Sequence, residues 1–325
     1  MNTDTLRVDT HLGPDDLSAA LCADARAGLT STPKDLPPKW FYDHHGSELF
    51  EAITRLPEYY PTRTERSILL EHADDIVGTS RATTLVELGS GTSEKTRILL
   101  DAFARANSLT TFAPFDVSET TLRDAARAVA AEYPGVAVHA VVGDFERHLA
   151  HIPSEGHRMV AFLGGTIGNF DPESRATFLR ALASTLSTNE TLLLGTDLVK
   201  DEGRLVRAYD DAQGVTAAFN KNVLSVLNRE LGANFDPDDF DHVAAWNARD
   251  EWIEMRLQAR RAVAVRIPEL DLEVAFADGE QMRTEISSKF RHQRVADELD
   301  TAGFELVEWW TDADEDFALS LARRV

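Results

Sequence analysis

Thr84-Leu85-Val86-Glu87-Leu88-Gly89-Ser90-Gly91-Thr92-Ser93-Glu94-Lys95-Thr96 decides how this chain is read. A short apolar run ends in a turn with two glycines, and helical spacing follows from Ser93 to Ala106. Strand, glycine turn and helix in that order open a sheet that holds a nucleoside beyond the carboxyl ends of its strands. Glycine permits both the sharp turn and a close backbone approach to the ligand. The loop departs from the dinucleotide fingerprint G-x-G-x-x-G, because Glu94 stands at the third glycine and Glu87 ends the strand. Carboxylates there compete with a pyrophosphate for the amides of the helix N-terminus. An acidic loop suits a ligand without phosphate and with a cationic group.

Outward from this unit the pattern repeats. Strands are predicted at Phe112 to Val117, Val136 to Val142, Arg158 to Leu163 and Glu190 to Gly195, with helices at Glu119 to Glu132 and Pro172 to Leu186 between them. Phe304 to Trp310 and Phe317 to Arg323 read as two closing strands joined by the acidic loop Thr311 to Asp316, after a helix from Arg294 to Ala302. Strands alternating with helices make a parallel, doubly wound α/β sheet. A terminal antiparallel hairpin after five such units is the Rossmann-like arrangement of class I methyltransferases.

The remaining sequence breaks the rhythm. The first ten or so residues are polar and expected to be mobile. A helix follows from Asp15 to Leu29, Pro33, Pro37 and Pro38 impose an extended segment, Ser47 caps a short helix, and Thr62 with Glu65 forms a capping box for a helix to Ile76. Residues 200–232 read as helical, Asp236-Pro237 starts a short helix, and Glu251 to Ile267 and Leu270 to Phe276 read as long strands. We therefore expect a cofactor-binding domain from 61–197 and 284–325. A second α+β lobe from 10–60 and 198–283 is expected over the sheet's carboxyl edge.

Two further acids stand at strand ends. Asp116 can accept both hydroxyls of a ribose, and Asp144 can accept an adenine amino group while Phe145 stacks on the ring. With Glu87, Gly89, Ser90 and Gly91 these residues outline a site for S-adenosylmethionine (SAM), which has no phosphate and carries an ammonium. Lys95 is placed to hold its carboxylate.

The chain has 325 residues and a formal net charge of −22. That charge argues against nucleic acid or an anionic membrane as partner, since both need a basic face. One cysteine, Cys22, excludes an intrachain disulfide and a cysteine-rich metal site and fits a reducing cytoplasm. Met1 to Leu12 shows no secretory signal, and no apolar run approaches the ~18 residues of a membrane span. No metal site is expected, because His44-His45 and His148/His151 have no carboxylate at ligand spacing.

Three motifs together carry a family resemblance: Leu85 to Thr96, Phe162-Leu163-Gly164-Gly165-Thr166-Ile167-Gly168-Asn169, and Leu56-Pro57-Glu58-Tyr59-Tyr60-Pro61-Thr62-Arg63. From about Leu36 onward the chain resembles the L-histidine Nα-methyltransferases of ergothioneine biosynthesis. The resemblance implies three methyl transfers from SAM to the α-amine of L-histidine, through mono- and dimethylated intermediates, giving hercynine. It implies that Asn169, Tyr42, Tyr59 and Tyr209 meet the amino-acid end of the substrate. Tyr59 and Tyr209 are expected near the carboxylate, and Tyr42 near the amine as the residue orienting it. Tyr60 is left to packing.

Glu285 and Ser287 are two apart, so an extended segment puts them on one face. The resemblance has these positions read the imidazole, with Met255 near the ring. Phe50 and Thr216 are weaker candidates for the lining. A methyltransferase for another small amine, such as tryptophan, is the nearest alternative. An idle SAM sensor and a nicotinamide oxidoreductase are disfavoured by the tyrosines with Asn169 and by Glu94, respectively. A monomer suffices for this arrangement.

Overall fold

The computed structural model describes residues 6–325. In chain order the elements are β1 (Leu6–Thr10), α1 (Pro14–Thr30), β2 (Lys34–Asp35), α2 (His44–Thr54), α3 (Pro61–Ser80), β3 (Thr84–Leu88), α4 (Thr96–Ala106), β4 (Thr111–Asp116), α5 (Glu119–Glu132), β5 (Ala137–Val142), β6 (Arg158–Phe162), α6 (Pro172–Thr185) and β7 (Thr191–Asp197). They continue with α7 (Glu202–Tyr209), α8 (Val215–Leu231), β8 (Phe240–Asn247), β9 (Trp252–Ala259), β10 (Val263–Ile267), β11 (Leu272–Phe276), β12 (Gln281–Ser288), α9 (His292–Ala302), β13 (Phe304–Thr311) and β14 (Phe317–Arg324). The described chain divides into two compact units, the first ending at Gly13 and resuming over Arg63–Leu198 and Phe290–Val325, the second comprising Pro14–Thr62 and Val199–Lys289.

The first unit is built on a sheet of order β1-β5-β4-β3-β6-β7-β14-β13. Strands β1 to β7 in this sheet run parallel, and β14 is antiparallel to both β7 and β13. Every residue of β3, β6 and β7 is buried, as expected of central strands covered on both faces. The pleat sends alternate residues to opposite sides. Val86, Leu88, Phe115, Phe162 and Leu194 enter one core with α6 and α9, whereas Leu85, Phe112, Met159, Ala161 and Leu193 enter the other with α3 and α4. The chain leaves β3 toward β4 and β5, then returns to β6 on the other side of β3. The loops after β3 and β6 therefore flank a topological switch point, the position at which such sheets hold ligands.

The second unit carries a sheet of order β2-β12-β9-β8 and the β10–β11 hairpin. Helix α8 buries Phe219, Val223, Leu227 and Leu231 along one stripe, in a core shared with Leu21, Phe41, Ile53, Leu257 and Phe276.

Several local expectations are corrected. Leu6–Thr10 is not mobile but pairs with β5 as an added parallel strand, and Met1–Thr5 lie outside the described residues. Asp43, rather than Ser47, caps α2, its carboxylate accepting the Gly46 N–H at 2.8 Å. Asp236-Pro237 opens one 3-10 turn, after which β8 begins. The run 200–232 is two helices, and Glu251 to Ile267 folds as two strands. Helix α3 already begins at Pro61, and the buried Glu65 carboxylate meets Lys95 and the Gly164 N–H instead of capping it. The first domain does not resume at 284, because β12 pairs with β9 and β2 in the second unit's sheet.

Candidate active site

In the first unit, the turn after β3 is tied to β4. Gly89 and Gly91 have positive φ, 67° and 49°, which a side chain would strain. The Asp116 carboxylate accepts N–H groups from Gly91 and Ser118, both at 2.9 Å, so it shapes the loop and still has lone pairs for a ligand hydroxyl. Burial pushes its pKa up against these hydrogen bonds.

Glu87 is buried, and burial raises its carboxyl to about 7, against the hydroxyl of Thr96, which donates to Oε1. Its Oε2 and the Ser90 hydroxyl are buried without a partner, a standing acceptor and donor in the loop. That set fits a ligand bearing ammonium and hydroxyl groups. Asp144 is half-buried and accepts the Glu146 N–H at 2.8 Å. Phe145 packs among Phe162, Phe178 and Phe170, with ring centroids 5.3, 5.9 and 6.3 Å away. Asn169 ends a single 3-10 turn entered through Gly164 and Gly165, both at positive φ.

The second unit assembles a line of rings. Tyr42 meets Phe50 at 5.5 Å and Phe219 at 5.4 Å, Phe50 meets Tyr59 at 6.2 Å, and Tyr59 meets Tyr209 at 6.3 Å. Tyr42 keeps 39% of its surface exposed, yet desolvation, followed by the nearby Glu285, Tyr59 and Tyr209, holds its phenol well above 10. Its phenol keeps its proton at neutral pH.

On β12, Glu285 stands opposite Met255 of β9, just past an irregularity in the register, and Ser287 lies two residues on along the same face. Burial raises the Glu285 carboxyl to about 7, while the charge of Lys289 pulls it down. The Ser287 and Tyr209 hydroxyls are 2.7 Å apart, and fully buried Lys289 donates to both, at 2.8 and 2.9 Å. Tyr209 and Ser287, expected at opposite ends of the substrate, thus form one hydrogen-bonded group. Thr216 is buried at the start of α8, its N–H held by Asp211 at 2.7 Å. Tyr60 does more than pack: its hydroxyl accepts from Lys200 at 2.7 Å.

A polar chain behind these residues sets their positions. Thr284 donates to Asn220 at 2.6 Å, Asn220 donates to His242 Nδ1 at 2.8 Å, and His242 Nε2 donates to the Tyr209 carbonyl at 2.8 Å. Burial lowers the His242 pKa, which favours the neutral ring this pattern needs.

Residues 21–324 match the sequence profile of a family described as histidine-specific methyltransferase, SAM-dependent. The chain is 60% identical over 320 residues to the histidine N-alpha-methyltransferase of Mycolicibacterium smegmatis, covering 98% of this chain and 100% of that one. It is 57% identical to the protein of the same name from Mycobacterium tuberculosis, over 98% of this chain and 99% of that one. A segment of ergothioneine biosynthesis protein 1 of Schizosaccharomyces pombe is 35% identical over 71% of this chain and 31% of the fission-yeast protein.

The chain belongs to the SAM-dependent, histidine-specific methyltransferases. It is therefore a SAM-dependent N-methyltransferase on a class I fold, and SAM is its methyl donor. The sequence reading passes over Lys289 and takes Glu65 only as a capping residue. Lys289 continues the alternation of Glu285 and Ser287, a legible signal of a shared face. Glu65 has a fainter one: Gly195 interrupts the apolar run of β7, which marks a close approach by another group.

Proposed function

We propose that the enzyme methylates the α-amine of L-histidine three times with SAM, giving hercynine, and so opens ergothioneine biosynthesis. The observation that carries this reading is the β12 face, where a carboxyl at about 7, opposite Met255, and a hydroxyl stand two residues apart. An imidazole has two ring nitrogens to satisfy, and such a pair meets both: Glu285 accepts an N–H and Ser287 engages the other nitrogen. An indole has a single N–H and no second ring nitrogen, so it forgoes the contact with Ser287, whose hydroxyl is already oriented by Tyr209 and Lys289.

The first unit serves the donor. Glu87, Gly89, Ser90, Gly91, Lys95, Asp116, Asp144 and Phe145 hold SAM, which when bound supplies an electrophilic methyl group. The second unit serves the acceptor. Tyr59 and Tyr209 hold the amino-acid carboxylate. Tyr42 orients the amine and, being protonated, does not act as its base. Its ring face favours the growing ammonium by ~0.5–2 kcal/mol. Positioning by these groups supplies most of the rate.

The mono- and dimethylated amines are substrates in turn. The enzyme works as a monomer in a reducing cytoplasm, in keeping with its single cysteine. Incubation with SAM and each of the twenty amino acids, followed by mass measurement, tests the proposal. A product heavier by three methylene units from histidine alone is expected. Methylation of tryptophan or any other amino acid at a comparable rate overturns it.

A further inference from the structure

We propose that Glu65 is a positioning residue for methyl-donor binding: from α3 it holds Lys95 where the carboxylate of the cofactor's amino-acid end is met, and it ties that lysine to the loop that leads to Asn169. The inference rests on the assignment of Lys95 to the cofactor. Four observations carry it. The Glu65 side chain is fully buried, a costly place for a carboxylate unless its charge is answered. One of its oxygens is paired with the ammonium of Lys95, a side chain that stays a quarter exposed. The other accepts the N–H of Gly164 at 2.8 Å, the residue that starts the turn after β6. A Cβ built on Gly164 would lie 3.7 Å from Lys95 Nζ, so lysine, carboxylate and loop meet at one point.

The fold makes room for this contact. A Cβ on Gly195 of β7 would fall 2.2 Å from Glu65 Oε1, so the strand carries glycine where the carboxylate crosses it. Lysine has a long stem with several rotatable bonds, and a bare ammonium on it spends its time hydrated. An ion pair beneath it removes that freedom before the cofactor arrives. The ammonium has three protons, and one given to Glu65 leaves two for a ligand carboxylate. One carboxylate thus fixes both the residue that meets the donor and the loop that presents Asn169.

Glu65→Gln separates the two tasks, because an amide oxygen still accepts the Gly164 N–H but bears no charge for Lys95. Calorimetric titration of the full chain with S-adenosylhomocysteine and with methylthioadenosine, which lacks the amino-acid end, reads the effect. Glu65→Gln should weaken S-adenosylhomocysteine about tenfold and leave methylthioadenosine unchanged. Lys95→Met should show the same selectivity, and the double variant should be no weaker than Lys95→Met alone. The KM for histidine should hold in Glu65→Gln and rise in Glu65→Ala, which also releases Gly164.

Equal weakening of both nucleosides by Glu65→Gln, or no weakening, overturns the role of Glu65 while a selective Lys95→Met keeps the cofactor reading intact. A Lys95→Met variant that does not distinguish the two nucleosides overturns the assignment of Lys95 itself. If Glu65→Gln does not fold alone, the double variant decides: matching Lys95→Met on both ligands supports the proposal, and further weakening of methylthioadenosine overturns it.

Discussion

Glu285 illustrates how one residue's surroundings set its chemistry. Its carboxyl sits at about 7 because burial disfavours the charged form more than Lys289 restores it. It accepts an N–H more strongly when ionised, so the KM for histidine should rise as pH falls through 7. Glu285→Gln removes this titration, and the difference between the two pH profiles isolates it from the titration of the substrate's own ring. Glu285→Ala should raise the KM for histidine about 10- to 100-fold, the worth of a charge-assisted hydrogen bond, and leave that for SAM nearly unchanged. Equal effects on both would sink the imidazole assignment. Tyr42 makes a separate prediction. Tyr42→Phe keeps the ring and loses the hydroxyl, so all three methyl transfers should slow. Wild-type rates at each step would remove Tyr42 from the orientation of the amine.

Among the elements, β12 is the part of the acceptor site whose placement is most fully specified. It runs between β9 and β2, and the Thr284–Asn220–His242 chain ties its face to the end of α7. Lys289, just beyond the strand, binds Tyr209 and Ser287 together. Lys289→Met removes both hydrogen bonds while filling a similar volume. It should raise the KM for histidine without changing that for SAM, as checked by initial-rate kinetics. On β7, Gly195→Ala should cost about 1–3 kcal/mol in urea unfolding, since the new methyl meets the Glu65 carboxylate. Most parallel strands and their helices were legible because buried apolar runs alternate with amphipathic ones. Strand β8 was not, because Asp236-Pro237 favours a turn locally and the strand exists through its pairing with β9. Strand β1 was missed for the same reason: its polar sequence becomes a strand only through β5.

Across the whole chain, the net charge of −22 and the buried acids act together on stability. Glu87 and Glu285 bind protons more tightly folded than unfolded, with carboxyls at about 7 rather than the ordinary 4.5. Their contribution therefore falls as pH rises from 4.5 through 7. Glu190 behaves oppositely: against desolvation, Arg158 and the Ser187 N–H hold its pKa down, and its contribution is lost as pH falls through that lowered value. Asp43 and Asp211 follow Glu190, held down by backbone N–H groups against their own desolvation. The ligand-free protein should thus have its highest Tm on the acid side of neutrality, and the double variant Glu87→Gln, Glu285→Gln should flatten the decline toward pH 8. A Tm that climbs steadily to pH 8 in the wild type would contradict this balance. The sheet, its switch point and the acids of the donor loop could be read from sequence, because they depend on local periodicity, glycine turns and strand ends. That Glu65 answers Lys95, that Lys289 joins Tyr209 to Ser287, and that Glu285 is held near neutrality emerged only with the chain folded. Each of these depends on burial and on partners brought together by the fold, and neither is encoded in any single stretch.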